Sequence, residues 1–239
     1  MELSSEDIRR IVIYVFVLLI SVALHEFGHA IMADRLGDDT PRRQGRVTLN
    51  PLAHADPIGT LLLPIVGSLY GAMSGHGGGG FGWGKPVQWQ PHRIGRKVSM
   101  STAKILVAVA GPAMNLLLAA VLVTVHTALA SQHVIDPRGR LSGILAFAMV
   151  TNLVLFFFNL LPVPPLDGGH VAQSFTPYRH RDKFEQFARY APFIVLGFML
   201  IPKLQIVFLW PANLVARHAY DLLGYLFGYD ALARHFFIG

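Results

Sequence analysis

The sequence predicts an all-α polytopic membrane protein, with about six transmembrane or partly inserted helices and short extended or re-entrant segments near the cytoplasmic face. Composition is the first reason: of 239 residues, 53% are hydrophobic and only 14% are charged, whereas soluble domains carry about 25% charged residues. The second reason is a series of long apolar runs separated by short polar loops. The third is the concentration of lysine and arginine in those loops.

Composition also excludes several kinds of site. The chain has no cysteine, which excludes disulfide frameworks and thiolate zinc sites. The formal net charge of +6 comes from basic residues beside the apolar runs, and the sequence contains no nucleic-acid reader motif. We therefore expect the lipid bilayer as a partner and no nucleic acid. The pattern does not indicate an oligomeric state.

The first apolar run, residues 8–32, contains His25, Glu26 and His29 in the pattern H-E-x-x-H. In a helix, His25 and His29 lie four residues apart on one face, where two neutral imidazoles can hold one zinc ion. Glu26 then lies beside the pair, in a position to accept a proton from water. A charge at the centre of a membrane helix costs roughly 2.5–3.5 kcal/mol, which favours a functional site over a chance match.

The segments that follow are shorter and more polar. Residues 46–50 are expected to form a short extended segment near the membrane edge. Residues 57–73 are apolar, but Pro64 and several glycines interrupt them, so we expect a re-entrant or partial insertion instead of a full span. The glycine-rich residues 74–84 are expected to form a loop, which contains His76.

Two further spans carry polar residues that a site would use. Residues 103–130 contain Asn115, which needs a hydrogen-bond partner in lipid; the partner is either another helix or a peptide in the site. Residues 141–161 contain Asn159 near their end, and Asp167 follows after three prolines that must stop the helix. Asp167 therefore offers a carboxylate at a depth that can match the two histidines.

The C-terminal part contains two further apolar stretches. Residues 192–210 form a plausible span, which Pro202 and Lys203 interrupt. Residues 211–228 either span again or lie amphipathically at the interface.

The distribution of basic residues predicts the orientation. Nine of the 20 lysine and arginine residues lie between positions 35 and 104, and four more lie in residues 162–190, against two in residues 131–140. By the positive-inside rule the two richer regions face the cytoplasm. The helices that carry the histidines and precede Asp167 then end on the same side of the membrane.

These motifs together resemble the site-2 protease family of intramembrane zinc metallopeptidases, peptidase family M50. The resemblance rests on HEFGH in one span and NLLPVPPLDGGH at the end of a later one. It is reinforced by GPAMN, LNPLAHADPIGT and FGWGKPV, and extends over about residues 21–170. HExxH alone is moderately specific, whereas its combination with the downstream proline and Asp-Gly string is highly specific.

The resemblance implies a role for each matching residue. His25, His29 and Asp167 would bind Zn2+, one ion per chain, and Glu26 would be the general base. Asn115 and Asn159 would position the substrate strand or stabilise the oxyanion. His54 is expected to make a structural hydrogen bond, and His170, His76 and His126 rank below the three named ligands.

The implied activity is hydrolysis of peptide bonds within or near transmembrane segments of other membrane proteins, in regulated intramembrane proteolysis. We expect one metalloprotease domain over residues 1–239, with a catalytic core at about 8–170, accessory helices at about 171–239, and no PDZ or CBS domain. We expect a multi-pass protein of a bacterial inner membrane, with its active site towards the cytoplasm. A zinc or cation transporter and a non-catalytic membrane scaffold remain alternatives; the first would spread acidic and histidine residues over several helices, and the second would lack Glu26.

Overall fold

The computed structural model describes residues 3–74, 82–95, 98–229, 232, 235 and 236. These residues form helices and connecting segments, with no strand among them. The α-helices are α1 (Ser5–Arg35), α2 (Thr40–Arg43), α3 (Leu63–Ser74), α4 (Met100–Ser131), α5 (Arg140–Asn159), α6 (Asp167–Phe175), α7 (Arg181–Leu200) and α8 (Pro202–Phe227). A π-helical segment (Pro57–Leu62) leads directly into α3. The all-α prediction is confirmed for this part of the chain.

Helix α1 begins with a capping box. The Asp7 amide donates to the Ser4 hydroxyl oxygen at 3.1 Å, and the Ser4 amide donates to the Asp7 carboxylate at 3.1 Å. This arrangement satisfies amides that the first helical turn leaves without partners. The 31 residues of α1 correspond to about 46 Å of helix at 1.5 Å per residue, which is enough to cross the roughly 30 Å hydrocarbon core of a bilayer.

The chain divides into two compact units, Met1–Gly111 and Pro112–Gly239, with the boundary inside α4. In the first unit, α1 packs against α2, α3 and the π-helical segment. Residues 82–90, which have no regular secondary structure, also bond to this unit. We call residues 82–90 the strap.

The second unit is built on the packing of α5 against α8. Its core is a cluster of buried side chains from α4, α5, α8 and the residue beyond α8: Ala119, Val123, Ala130, Met149, Leu153, Ala212, Ala216, Tyr220 and Leu232. A polar pair lies within this apolar environment. His126 Nδ1 and the Tyr220 hydroxyl oxygen are 2.7 Å apart, and both side chains are almost fully buried.

Three helices of the described chain are long and apolar enough to cross a membrane: α1, α4 and α5. Helices α7 and α8 pass this test only as a pair, bent by 73° at the break between them, so that the count is three, or four if the pair is one span. The described residues therefore show three or up to four candidate spans, and do not clearly show the expected total of about six transmembrane or partly inserted helices. Residues 57–73 form an apolar helix of less than span length, as expected for a partial insertion.

One boundary differs from the prediction for a physical reason. The C-terminal break falls at Pro202, the first residue of α8, and Pro211 lies inside that helix. Proline is favoured at a helix start, where its missing N–H is not needed. Residues 46–50, expected to be a short extended segment near the membrane edge, have no regular secondary structure. The glycine-rich stretch, apart from Ser74 and residues 82–84, lies outside the described residues.

The buried pair in the second unit gives a prediction for stability. Tyr220→Phe removes the hydroxyl group that pairs with His126 and leaves a polar ring nitrogen in an apolar core. We expect the variant to lose about 1–3 kcal/mol of unfolding free energy, measured by thermal or denaturant unfolding in detergent. Tyr225→Phe is the control, because Tyr225 on the same helix is 83% exposed and its hydroxyl should contribute little. Equal stability of the two variants would contradict the role assigned to the pair.

Candidate metal centre

Two histidine rings meet on one face of α1. His25 and His29 are both buried, at 8% and 9% exposure, and their Nε2 atoms are 3.1 Å apart. The rings are nearly perpendicular, with centroids 4.7 Å apart. Two imidazole nitrogens bound to one tetrahedral zinc at about 2.0–2.1 Å would lie about 3.3 Å apart. The pair is therefore already spaced as two ligands of a single ion.

The orientation of His29 is fixed by the backbone of α4. His29 Nδ1 lies 2.7 Å from the carbonyl oxygen of Val107, so the Nδ1–H donates to that carbonyl. The lone pair of the neutral ring is then on Nε2, the atom that faces His25. Metal-binding histidines usually donate their second ring N–H to a carbonyl or carboxylate in this way.

Gly111, in α4, leaves space beside the Nε2 atoms of His25 and His29 because it has no side chain. A Cβ atom at this position would lie 2.3 Å from His29 Nε2 and 2.8 Å from His25 Nε2. A side chain there would occupy the space in front of both donor atoms. The convergent nitrogens, the fixed tautomer and this side-chain-free space together fit a zinc ion.

Glu26 is half-buried next to the histidine pair and contacts the strap. Its Oε2 accepts a hydrogen bond from the Val87 amide at 3.2 Å. A Cβ atom at Gly84 would lie 3.0 Å from Glu26 Cγ and 3.2 Å from Oε1. The general base predicted from the sequence is therefore held against the strap.

His54 makes the structural hydrogen bond that the sequence led us to expect. Its ring is fully buried, and Nε2–H donates to the Thr48 carbonyl at 2.9 Å. Burial lowers the pKa of His54, and the nearby Arg46 lowers it further, while the hydrogen bond to Thr48 acts in the opposite direction. The ring is accordingly neutral, and it helps to hold the chain between α2 and the π-helical segment.

Asp167 belongs to the second unit, where it is the first residue of α6 and is half-buried. The start of α6 packs closely on the end of α5: Cβ atoms at Gly168 and Gly169 would lie 2.3 Å from the Leu160 oxygen and 2.5 Å from the Pro164 nitrogen. These two glycines let the chain turn back after the proline segment. They place the start of α6, which Asp167 begins, against the end of α5.

The two asparagines make contacts of different kinds. Asn115 is fully buried and donates from Nδ2 to Asn152 Oδ1 of α5 at 2.9 Å. This contact joins two helices, which is one of the two alternatives that the sequence left open. Asn159 donates to the Leu155 carbonyl of its own helix at 2.9 Å and is half-buried. The substrate or oxyanion role of both residues stays a prediction.

Three further histidines, His126, His170 and His76, rank below the named ligands. His126 pairs with Tyr220 in the core of the second unit, and His170 is exposed on α6. His76 lies outside the described residues.

Sequence reasoning missed the roles of Gly111, Val107, Gly84 and Val87. The sequence contains a signal for the glycines, which lie in the strings GPAMN and FGWGKPV. It contains none for the carbonyl of Val107 or the amide of Val87, because every residue except proline carries both groups.

Comparison with known proteins identifies the family. The model of peptidase family M50 matches residues 13–140 and 136–202. The chain belongs to peptidase family M50. YwhC, a candidate zinc metalloprotease of Bacillus subtilis (strain 168), is 37% identical over 201 residues, which cover 82% of this chain and 84% of that protein. Rip2, a candidate zinc metalloprotease of Mycolicibacterium smegmatis, is 34% identical over 222 residues, which cover 91% of this chain and 73% of that protein. No solved structure matches the chain.

Membership of family M50 confirms the resemblance found in the sequence and the prediction of a zinc-dependent protease. Together with the span-length apolar helices α1, α4 and α5, it also confirms an integral membrane protein. The assignment of individual site residues and the domain boundaries stay predictions.

The close approach of Gly111 to both histidines gives a prediction for metal binding. Gly111→Ala places a methyl group against the two Nε2 atoms, so we expect zinc affinity to fall on the order of tenfold or more, as for other changes next to metal ligands. Zinc competition with a chromophoric chelator measures this. Gly143→Ala in α5 is the matched control, because a Cβ there meets nothing within 4 Å. Wild-type affinity in Gly111→Ala would show that the ion lies elsewhere.

Proposed function

We propose that this member of family M50 is an intramembrane zinc metalloendopeptidase, which hydrolyses peptide bonds within or near transmembrane segments of other membrane proteins. The observation that carries the proposal is the convergence of two buried imidazoles beside a carboxylate on one apolar, span-length helix. Such groups are costly in lipid and are retained where they have a function. The names of the relatives YwhC and Rip2 as candidate zinc metalloproteases agree with this choice of metal.

The proposed zinc ligands are His25, His29 and Asp167. Two neutral imidazoles and one carboxylate are a usual set for a catalytic zinc, and they leave one position open for water or substrate. When bound, zinc supplies Lewis-acid chemistry that polarises the scissile carbonyl and acidifies the attacking water. The hydrogen bond from His29 to the Val107 carbonyl holds one imidazole ready for this role.

The proposed role of Glu26 is proton transfer. Its carboxylate accepts a proton from the attacking water and delivers it to the nitrogen of the departing amine, so that the C–N bond breaks without forming a free amide anion. The side chain is adjacent in sequence to His25 and is held by the Val87 amide. It therefore has a defined position beside the histidine pair.

A helical substrate must unwind before attack, because its carbonyls are bonded within the helix. The strap offers a surface for the unwound segment. The amides of Trp83, Lys85 and Val87 bond inward, to the Gly59 carbonyl, the His54 carbonyl and Glu26. Pro86 has no N–H and the Gln90 amide bonds to Asp38, so β-addition of a substrate strand to residues 85–90 would use their outward carbonyl groups and the Gln88 amide. Residues 46–50 are the second segment proposed for this pairing.

Of the two asparagines, Asn159 is the better candidate for substrate contact. It is half-buried at the C-terminal end of α5. Asn115 is fully buried and is engaged with Asn152.

The proposed location is a bacterial inner membrane, with the active site open to water on the cytoplasmic side. The clustering of lysine and arginine in residues 35–104 supports this orientation. The bacterial sources of YwhC and Rip2 agree with the choice of membrane.

Substitution of Glu26, the proposed general base, tests the reaction directly. Glu26→Gln keeps the size of the side chain but removes its basicity, so we expect one zinc per chain and a loss of cleavage of about 10²–10⁴-fold. The assay uses purified protein in vesicles with a tagged single-span protein whose transmembrane helix contains a central Gly-Pro pair. The control enzyme is Glu6→Gln, because Glu6 is half-exposed on the same helix and pairs with Arg9.

A second substrate with an uninterrupted polyleucine helix tests the unwinding step, since it should be cleaved much more slowly. Full activity of Glu26→Gln would overturn the catalytic assignment. Equal cleavage of both substrates would overturn the requirement for local unwinding.

The third ligand is tested by metal content. Asp167→Ala should weaken zinc binding by more than the roughly 10–100-fold that is typical for substitutions outside the direct ligands. Asp182→Ala, at an exposed position in the first turn of α7, should leave zinc binding at the wild-type level. Elemental analysis after dialysis against a chelator measures both. An Asp167→Ala protein with unchanged zinc would move the third ligand to another residue.

A further inference from the structure

We propose that the strap positions the general base: the Val87 amide and the side-chain-free face of Gly84 together hold the Glu26 carboxylate in its working orientation. This inference rests on the proposed function, in which Glu26 transfers the proton. It assigns a positioning role to two residues that lie far from the histidines in sequence. Neither residue would contact the substrate bond itself.

The first observation is a hydrogen bond from the backbone. The Val87 amide donates to Glu26 Oε2 at 3.2 Å, and a hydrogen bond to a charged acceptor is about twice as strong as one between neutral groups. A glutamate side chain has three rotatable bonds and loses substantial entropy when it is fixed. One bond to a carboxylate oxygen therefore restricts a group that would otherwise sample several positions.

The second observation is the close packing of Gly84. A Cβ at this position would lie 2.6 Å from Val22 Cγ1 and 3.0 Å from Glu26 Cγ. The strap thus lies directly on α1, against Val22 and Glu26, which are one helical turn apart. Glu26 is held at its Cγ by contact and at its carboxylate by a hydrogen bond.

The strap is itself anchored on both sides of this contact. The Trp83 amide donates to the Gly59 carbonyl at 3.1 Å, and the Thr60 hydroxyl donates to the Trp83 carbonyl at 2.7 Å. At its other end, the Gln90 amide donates to the buried carboxylate of Asp38. Because its ends are bonded to other parts of the first unit, the position of the strap does not depend on Glu26. The strap can therefore restrict the Glu26 side chain.

The contact is tested first without any activity assay. In protein labelled with ¹⁵N-valine and reconstituted in lipid nanodiscs, the Val87 amide is identified by the loss of its signal in Val87→Ile. We expect Glu26→Gln to shift this amide proton upfield and to accelerate its hydrogen exchange, because a neutral oxygen replaces a carboxylate. An unchanged Val87 amide in Glu26→Gln would overturn the proposal, whether or not the protein cleaves the test substrate.

The effect on the reaction is tested by removing one backbone N–H. Replacement of Val87 by its α-hydroxy acid, 2-hydroxyisovaleric acid, keeps the side chain and turns the amide into an ester. We expect kcat to fall on the order of tenfold, with unchanged KM and unchanged zinc per chain. The matched control is the same 2-hydroxyisovaleric acid replacement at Val134, which removes the bond from its amide to the Leu129 carbonyl in the second unit but not the contact with Glu26, and should leave kcat near the wild-type value.

The two kinds of failure are distinguishable. If wild type and Glu26→Gln cleave the Gly-Pro substrate equally, the proposed function fails. If wild type is active and the Val87 ester has the same kcat, or if it changes only KM or zinc content, the positioning role alone is overturned. Gly84→Ala gives a second variant, with an expected fall in kcat at constant zinc content because its methyl group displaces Glu26.

Discussion

The central constraint on this structure is the placement of two imidazoles inside an apolar membrane helix. Each ring nitrogen in such a place needs a partner, because unsatisfied polar groups in lipid cost several kcal/mol. For His29 the Nδ1–H group donates to the Val107 carbonyl of α4. This bond leaves His29 Nε2 facing His25. Because residue 111 is a glycine, no side chain from that position occupies the space beside the Nε2 atoms of the two histidines. Two residues of α4, Val107 and Gly111, therefore set the orientation of His29 and the space beside both ring nitrogens.

The strap contacts the Glu26 carboxylate beside that pair. The strap reaches Glu26 through one amide and one glycine, and it is bonded to the π-helical segment and to Asp38. Short polar loops in a membrane protein usually only connect spans. Here the strap contacts Glu26 through the Val87 amide and through Gly84, although it has no regular secondary structure.

The sequence was sufficient to predict the parts of the fold that depend on local pattern. The apolar runs 8–32, 103–130 and 141–161 correspond to α1, α4 and α5 within a few residues. The H-E-x-x-H pattern placed His25 and His29 on one face of α1. Prediction failed at the C-terminal break, because the tolerance of proline depends on its place in a helix: Pro202 starts α8 and Pro211 lies within it. It also failed for backbone partners such as Val87, since tertiary packing alone decides which amide meets Glu26.

The proposed reaction depends most directly on α1 providing two imidazole ligands to one zinc ion. X-ray absorption spectroscopy of the zinc-loaded protein in lipid tests this claim without a substrate. We predict a four-coordinate zinc with two imidazole nitrogens at about 2.0–2.1 Å, identified by their ring scattering, and oxygen ligands at about 2.0–2.2 Å. A spectrum that lacks imidazole scattering, or that is unchanged when His25 and His29 are both replaced by alanine, would contradict it.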